Sequence, residues 1–274
     1  MENGDVKPQL SVSDLSLKFN DNTIFENINF TCQSGTLTLL KGKNGSGKTC
    51  LLNSICGVVQ KHFNGIVQGS VVISSAITDI FSENKTVGVG FTPTRLEQVT
   101  TSLTPTLDAA DMESSPTHLK RVTARVTPTT GEASDTNENF PYLFGFLMQE
   151  PDKQLCFPFI EEELFFGAEN LKRDRSIVEK EYNNLLELFP FLKDSDSETF
   201  SLSFGQKKVL LFCAMILKDP FIFLLDEPNA GLSDDFRQSI RNLVLKLKAR
   251  GNIIIVAEHE NFYDDICDNV LELC

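Results

Sequence analysis

The stretch TLTLLKGKNGSGKT, residues 36–49, decides the fold of this chain. Its first six residues are β-rich, and a glycine-rich turn follows them at once. Glycines allow successive backbone N–H groups to turn inward around an anion. The next residues, 49–59, predict a helix with Leu52, Ile55 and Val59 on one face, and the positive end of that helix points at the same anion. Strand, turn and helix together predict a phosphate-binding loop.

The residue types in this loop suit the binding of a nucleoside triphosphate. Lys48 supplies a point charge for the β- and γ-phosphates and is also a catalytic candidate, and the Thr49 hydroxyl suits a Mg²⁺ ligand. We therefore predict that the nucleotide is bound by Gly42, Asn44, Gly45, Ser46, Gly47, Lys48, Thr49 and Cys50.

A second candidate site lies at the end of the apolar run FIFLLD, residues 221–226, which is typical of a buried parallel strand. Ligands of parallel sheets bind outside the carboxyl ends of the strands. We therefore predict that Asp226 binds Mg²⁺ through water. Glu227 follows directly and is the predicted general base for the water that attacks the triphosphate.

The rest of the chain alternates strand-like and helix-like segments. Alternating or continuous apolar runs predict strands at 11–19, 24–32, 67–73, 140–150 and 252–259. Helical periodicity predicts helices at 161–171, 177–192, 207–217 and 234–250. This alternation predicts an α/β fold with a mostly parallel sheet, formed by a single domain over residues 1–274.

Composition excludes several classes of protein. Hydrophobic residues make up 41% and charged residues 23%, so wholesale disorder is excluded. Because 25 basic and 38 acidic residues leave a net charge of −13, we expect no nucleic-acid partner. The longest apolar run, 209–217, is shorter than the roughly 18 residues of a membrane span, and the polar start MENGDVKPQL lacks the apolar region of a signal peptide. We expect a cytosolic chain unless a partner carries it to a membrane.

Residues 86–138 differ from the rest in composition. Within 92–136 there are 16 Ser or Thr residues among 45, and prolines recur at 93, 105, 116 and 128. Such a segment cannot bury enough apolar area to offset the entropy lost on ordering. We predict a low-complexity surface insertion, with a partner-binding or modified segment as the alternative.

With these residues in place, the order of further motifs resembles that of ATP-binding cassette (ABC) ATPases. The stretch LSFGQ, residues 202–206, resembles the signature motif of that family and ends 20 residues before Asp226. The resemblance implies a P-loop NTPase fold of ABC type, with an N-terminal antiparallel β subdomain and a helical subdomain at 150–212. It also implies that Ser203 and the Gly205 N–H contact the γ-phosphate of ATP held by a second ABC ATPase subunit.

Three further residues match positions of the ABC family. Gln149 matches the catalytic glutamine that senses Mg²⁺ and the γ-phosphate, which makes it a metal-ligand candidate as well. His259 matches the switch histidine of catalysis, and Phe19 stands where an aromatic residue usually stacks on adenine. Phe204 in place of glycine and Ser233 in place of aspartate depart from the pattern and would fit slowed hydrolysis or one partner of an unequal heterodimer.

The stretch QEPDKQLCFP, residues 149–158, resembles the ATPases of energy-coupling factor transporters, which drive uptake of vitamins and of cobalt or nickel ions. The resemblance implies a separate transmembrane subunit whose helix docks near residues 149–166, at the cytoplasmic face of the membrane. Phe157, Phe159 and Phe165 would then form an exposed apolar patch, whereas ordinary core aromatics are the alternative. The chain would be a peripheral ATPase subunit that binds ATP and Mg²⁺ and works as a homo- or heterodimer.

Two other functions stay open at this point. A soluble ABC ATPase that serves no transporter would not co-purify with membranes, whereas a transporter subunit would. A degenerate regulatory subunit would bind ATP without turning it over, as Phe204 and Ser233 allow.

Overall fold

The computed structural model of the chain describes residues 8–20, 22–59, 65–74, 87–91, 140–194 and 197–273. Within these residues the strands are β1 (Gln9–Phe19), β2 (Asn22–Gln33), β3 (Leu37–Gly42), β4 (Ile66–Ser74), β5 (Val87–Phe91), β6 (Phe144–Leu147), β7 (Ile222–Asp226), β8 (Ile253–Ala257) and β9 (Asn269–Leu273). The α-helices are α1 (Lys48–Ile55), α2 (Ile160–Asn170), α3 (Arg175–Leu188), α4 (Phe204–Lys218) and α5 (Asp234–Ala249).

Four strands form an antiparallel sheet in the order β2-β1-β4-β5. In β1, Leu10 and Val12 alternate with polar residues and are buried in a core that the antiparallel sheet shares with α1 and the second sheet. This is the antiparallel β-sheet near the N-terminus that the family resemblance implied.

The central sheet has the strand order β6-β7-β8-β3-β9, and every neighbouring pair in it is parallel. β7 is apolar on both faces because Ile222 and Leu224 pack toward the antiparallel sheet and α1, whereas Phe223 and Leu225 pack toward the other helices. The predicted α/β fold with a parallel central sheet is confirmed.

Helices cover the second face of the central sheet. α4 is apolar on most sides because it packs against β6, α2 and α3, and ten of its fifteen residues are buried. α5 begins with two aspartates and ends with lysines, which complements the helix dipole. α2, α3 and the first half of α4 fall within 150–212, and the boundaries of a helical subdomain there stay a prediction. In the part of the chain that the structure describes, no helix combines the length and apolar character that crossing a bilayer requires.

The predicted insertion begins with an ordered strand. Val87–Phe91, inside the range 86–138, is β5 and pairs with β4. Residues 92–138 lie outside the described residues, so their interpretation as a surface insertion stays a prediction.

Deletion of residues 92–136, bridged by a short Gly/Ser linker, is expected to leave the melting temperature and ATP turnover nearly unchanged. Loop-closure entropy varies slowly with length, so the change in the free energy of unfolding should stay within about 1 kcal/mol. Thermal unfolding and ATP turnover of the deletion variant are the measurements. A collapse of the melting temperature would show instead that the segment packs as core.

Candidate nucleotide-binding and catalytic site

The loop between β3 and α1 holds the predicted phosphate ligands. Gly45 and Gly47 have φ angles of 82° and 92°, in the left-handed region that favours glycine. A Cβ at Gly47 would lie 2.9 Å from Ile24 Cγ2, so the loop closely approaches β2 there. Gly47 is the N-cap of α1 and has no side chain to accept from the first helical N–H groups, which are therefore available to an anion.

Lys48 folds back over this loop. Its Nζ donates to the carbonyl oxygens of Gly42 at 2.8 Å and of Lys43 at 3.1 Å. Burial lowers the pKa of the ammonium, and the Glu227 and Asp226 carboxylates oppose that shift. The cation is thus held where the loop and the acidic residues meet.

Two more loop residues present polar groups to the same region. The Ser46 hydroxyl oxygen is buried and has no hydrogen-bond partner among the described residues, as expected of a group kept for a ligand. Asn44, by contrast, is exposed at the tip of the loop.

A hydrogen bond joins the start of α1 to the end of β7. Thr49 Oγ1 donates to Asp226 Oδ2 over 2.6 Å. Asp226 is 2% exposed; burial raises the pKa of its carboxyl, and the Thr49 hydroxyl counteracts the shift. Burial, and then the charge of Asp226, raise the pKa of the neighbouring Cys50 thiol. Hydroxyl and carboxylate oxygens side by side are ligand types that Mg²⁺ prefers.

Glu227 lies where three strand ends meet. Its Oε2 accepts a 2.9 Å hydrogen bond from Gln149 Nε2, and its Oε1 lies 3.0 Å from His259 Nε2. Gln149 follows β6, Glu227 follows β7 and His259 follows β8, and these strands are neighbours in the sheet. The structure thus brings together three residues that were selected separately as catalytic candidates.

The signature-like stretch begins α4. Ser203 Oγ accepts from the Gln206 N–H at 3.3 Å, and Gln206 Oε1 accepts from the Ser203 N–H at 2.9 Å, which is a capping box. A Cβ at Gly205 would lie 2.8 Å from the Gly231 carbonyl oxygen, so the helix start packs against the loop that follows β7. Among the described residues, no hydrogen bond joins Ser203 or Gly205 to residues 42–49, and their role toward a nucleotide stays a prediction.

Phe19 lies at the end of β1 in the antiparallel sheet. A Cβ at Gly65 would lie 2.8 Å from its Cε1, so the ring covers the start of β4 and is partly buried against the core. The neighbouring strand β2 reaches the phosphate loop through Ile24 and Gly47. Stacking of Phe19 on adenine stays a prediction.

Both departures from the family pattern have local partners. Phe204 is 43% exposed; its ring lies over Gly231, where an added Cβ would come within 2.6 Å of Phe204 Cδ1, and its centroid is 5.2 Å from Lys208 Nζ. Ser233 is the N-cap of α5 and accepts from the Phe236 N–H at 3.4 Å. Helix capping accounts for Ser233, whereas Phe204 adds an aromatic ring to the surface of the signature-like stretch.

Comparison with known families decides the membership. The family model described as ABC transporter matches residues 25–230, well over half of the chain. The chain belongs to the ABC transporter family. The matched range contains the phosphate loop, Gln149, the signature-like stretch and the Asp226-Glu227 pair, and it leaves out Phe19 and His259. As a member of this family, the chain is an ATP hydrolase.

Relatives of this ABC protein agree with that membership. The energy-coupling factor transporter ATP-binding protein EcfA1 of Thermotoga maritima is 23% identical, over 97% of this chain and 78% of its own length. A solved ATP binding subunit of an ABC transporter superposes with a TM-score of 0.67 at 18% identity, covering 96% of this chain and 85% of the other. The structure of cbiO1 from Clostridium perfringens, part of the ABC transporter complex cbiONQ, gives a TM-score of 0.60 at 22% identity, covering 98% and 85%. These likenesses confirm the ABC fold.

Two buried charged residues of this ABC site were not predicted from the sequence. Lys208 is fully buried, and Glu258 is 6% exposed. Burial, with the charges of Glu260 and Glu227 adding to it, raises the pKa of the Glu258 carboxyl to about 7. The sequence contained a signal for the burial of Lys208, because this lysine belongs to the otherwise apolar face of the predicted helix 207–217.

Proposed function

We propose that this chain is the ATP-hydrolysing subunit of a membrane transporter of the energy-coupling factor type, which takes up a vitamin or a metal ion. The observation that carries the hydrolytic part of the proposal is the meeting of Gln149, Glu227 and His259 at three adjacent strand ends. The Thermotoga maritima relative, by its name a transporter ATP-binding protein, supports the transporter class. The assembly of cbiO1 into a transporter complex supports a membrane partner.

ATP binds through the loop of residues 42–49 in this proposal. The Lys48 ammonium neutralises the β- and γ-phosphates, since charge-assisted hydrogen bonds to phosphate oxygens are among the strongest that a protein makes. Backbone N–H groups of the loop and the unpartnered Ser46 hydroxyl add donors. Phe19 stacks on the adenine ring.

Thr49, Asp226 and Gln149 hold Mg²⁺ in this proposal, with Asp226 acting through water. The fit rests on the Thr49 hydroxyl and the Asp226 carboxylate, which lie 2.6 Å apart at the mouth of the phosphate loop. Bound Mg²⁺ neutralises the charge that develops on the transferred phosphoryl group.

Glu227 accepts the proton of the water that attacks the γ-phosphate. Its two carboxylate oxygens are oriented by different neighbours, Gln149 on one side and His259 on the other. The carboxylate is therefore held in one direction before the substrate arrives, which lowers the reorganisation needed during the reaction.

A second ABC subunit completes the site in this proposal. Ser203 and Gly205 pack against the loop after β7 and make no hydrogen bond to residues 42–49 of their own chain among the described residues. In this proposal, as the likeness of residues 202–206 to the family's signature motif implies, they serve the γ-phosphate of ATP on a partner subunit, which is a second copy or a related chain.

The membrane partner docks on an aromatic patch formed by Phe157, Phe159 and Phe166. Phe159 is 40% and Phe166 50% exposed, and the rings of Phe157 and Phe166 lie 4.6 Å apart. The expectation that Phe165 belongs to this patch is wrong, because Phe165 packs edge-on against Tyr182 at 5.0 Å between ring centroids. Exposed aromatics within residues 157–166 suit a helix of a transmembrane subunit near residues 149–166, with the chain at the cytoplasmic face of the membrane.

Replacement of both Phe159 and Phe166 by serine is expected to abolish sedimentation of the chain with cell membranes, because it removes the apolar surface that the partner would bury. ATP turnover of the isolated chain should stay within about twofold of the unmutated value. The matched control is Ile177→Ser, since Ile177 is 51% exposed on a different helix. Unchanged sedimentation of the double variant would contradict the docking site.

A second function has one observation in its favour. The exposed ring of Phe204 stands where the signature-like stretch would meet a partner's nucleotide. A subunit with such a ring fits ATP binding with slow turnover, as in an unequal heterodimer. Absence of turnover in the chain even with its membrane partner would favour this function.

A further inference from the structure

Lys208 is a fully buried lysine that ends on the backbone of the catalytic loop. Its Nζ donates to the carbonyl oxygen of Glu227 at 2.7 Å and approaches that of Ala230 at 3.4 Å. The same Glu227 oxygen accepts from the Ala230 N–H at 3.2 Å, so one ammonium closes the turn from Glu227 to Ala230.

The backbone at this turn needs such support. Glu227 has a φ of 47°, in the left-handed region that costs a non-glycine residue energy. Its N–H donates to the Ala257 carbonyl oxygen at 2.9 Å, which fixes the peptide group before Glu227 to β8. Lys208 fixes the peptide group after Glu227 through the Glu227 carbonyl oxygen. Together these bonds set the direction in which the Glu227 side chain leaves the end of β7.

The surroundings of Lys208 act on the pKa of its ammonium in opposite directions. Burial lowers the pKa of the ammonium, but the carboxylates of Glu227, Glu258 and Asp226 oppose that shift. The Phe204 ring, 5.2 Å from Nζ, adds a cation–π contact and covers the lysine toward the surface.

We propose that Lys208 is a positioning residue for ATP hydrolysis, which holds the loop from Glu227 to Ala230 so that the Glu227 carboxylate stays aimed between Gln149 and His259. The proposal rests on the proposed role of Glu227 as the general base. Lys208 touches no substrate atom in this account and acts only through the backbone of the catalytic loop.

The chain offers a matched control on the same helix. Lys218, ten residues further along α4, is half-buried and donates from Nζ to the Phe144 carbonyl oxygen at 2.8 Å. Phe144 is the first residue of β6, at the amino end of this strand, whereas Gln149 of the site follows its carboxyl end. Lys218→Met therefore removes a similar ammonium–carbonyl bond without disturbing the catalytic loop.

The experiment compares Lys208→Met with Lys218→Met in ATP turnover, ATP affinity and thermal unfolding. Lys208→Met is expected to lower kcat by about 10- to 100-fold with a change in KM for ATP within about twofold, because a misaimed base slows only the reacting complex. Lys218→Met should lower the melting temperature but leave kcat within about twofold of the unmutated enzyme. In the Glu227→Gln background, Lys208→Met should have no further effect on residual turnover.

Several results would overturn the proposal. Equal kcat values for Lys208→Met and Lys218→Met would show that Lys208 only stabilises the fold. A further loss of turnover when Lys208→Met is added to Glu227→Gln would also contradict the positioning role. If Lys208→Met does not fold, Lys208→Gln decides, since its amide NH₂ group keeps a donor without the positive charge, and this variant should show intermediate turnover. Unmutated turnover in Lys208→Gln, or failure of both variants to fold, would refute the positioning role.

Failure of the proposed function looks different from failure of this inference. An unmutated chain without turnover, or a Glu227→Gln variant as active as the unmutated chain, would refute the catalytic assignment itself. Normal behaviour of those two proteins together with an unaffected Lys208→Met would refute only the role of Lys208.

Discussion

Glu227→Gln is expected to bind ATP as the unmutated chain does and to lose turnover by about 10²- to 10⁴-fold, the contribution of a positioned general base. The amide has the shape of the carboxylate: its oxygen can still accept from Gln149, and its NH₂ group can face His259. It cannot take a proton from water. ATP binding by calorimetry and phosphate release with Mg²⁺ present are the two measurements.

The control for this change is Glu260→Gln. Glu260 lies in the same segment after β8 but pairs with Arg237 at 2.9 Å on the surface. Its removal should leave turnover within about twofold, because exposed ion pairs contribute little. A Glu227→Gln variant with unmutated rates would place the base elsewhere in the molecule.

Lys48→Ala is expected to abolish ATP binding. The change removes the charge that the triphosphate needs, and each lost charge-assisted hydrogen bond costs about 1.5–3 kcal/mol. It also removes the two bonds from Nζ to the Gly42 and Lys43 carbonyls that hold the loop. At about 1.4 kcal/mol for each tenfold, affinity for ATP should fall by more than about 100-fold. Calorimetric titration with ATP checks this.

Lys43→Ala provides the comparison within the same loop. Lys43 is exposed, and its carbonyl oxygen is retained in the alanine variant. Its ATP affinity should stay within about threefold, since a solvated charge is screened. Equal affinities of the Lys48 and Lys43 variants would refute the role given to Lys48.

The phosphate loop and the Asp226-Glu227 pair were predictable because their chemistry is local. A loop that must place glycines at positive φ between a strand and a helix leaves a fixed spacing in the sequence. An apolar run that ends in an acid predicts a strand end with its ligand. Gln149, which carries no such local signal, was selected by family resemblance.

Several element boundaries were not predictable from periodicity alone. The predicted helix 177–192 ends at Leu188 because Pro190 lacks an N–H and restricts the residue before it. The predicted helix 49–59 ends at Ile55, where Cys56 caps it and Gly57 takes a left-handed φ of 76°. In both cases a turn residue inside an apolar run overrides the pattern.

Tertiary contacts determine which side chains are buried, and the sequence pattern alone did not predict this. Phe165 and Phe166 are adjacent and chemically identical, yet Tyr182 covers the first and leaves the second 50% exposed. The fully buried position of Lys208 depends on the loop after β7, which is distant in the sequence. It also depends on Phe204, which lies one helical turn before Lys208. Such burial follows from packing between elements, which helical periodicity does not contain.

The strand that leads into the phosphate loop has consequences for synthesis on the ribosome. β3 pairs with β8 and β9, although more than two hundred residues separate it from them. A nascent chain that has just emerged through α4 therefore carries Lys48 and Thr49 directly after a strand whose two partners have not yet been translated. Pairings of this span form late and leave apolar strands unprotected meanwhile. Competence to hold ATP must consequently arise only after β8 and β9 have been translated, and chaperones can act on β3 until then.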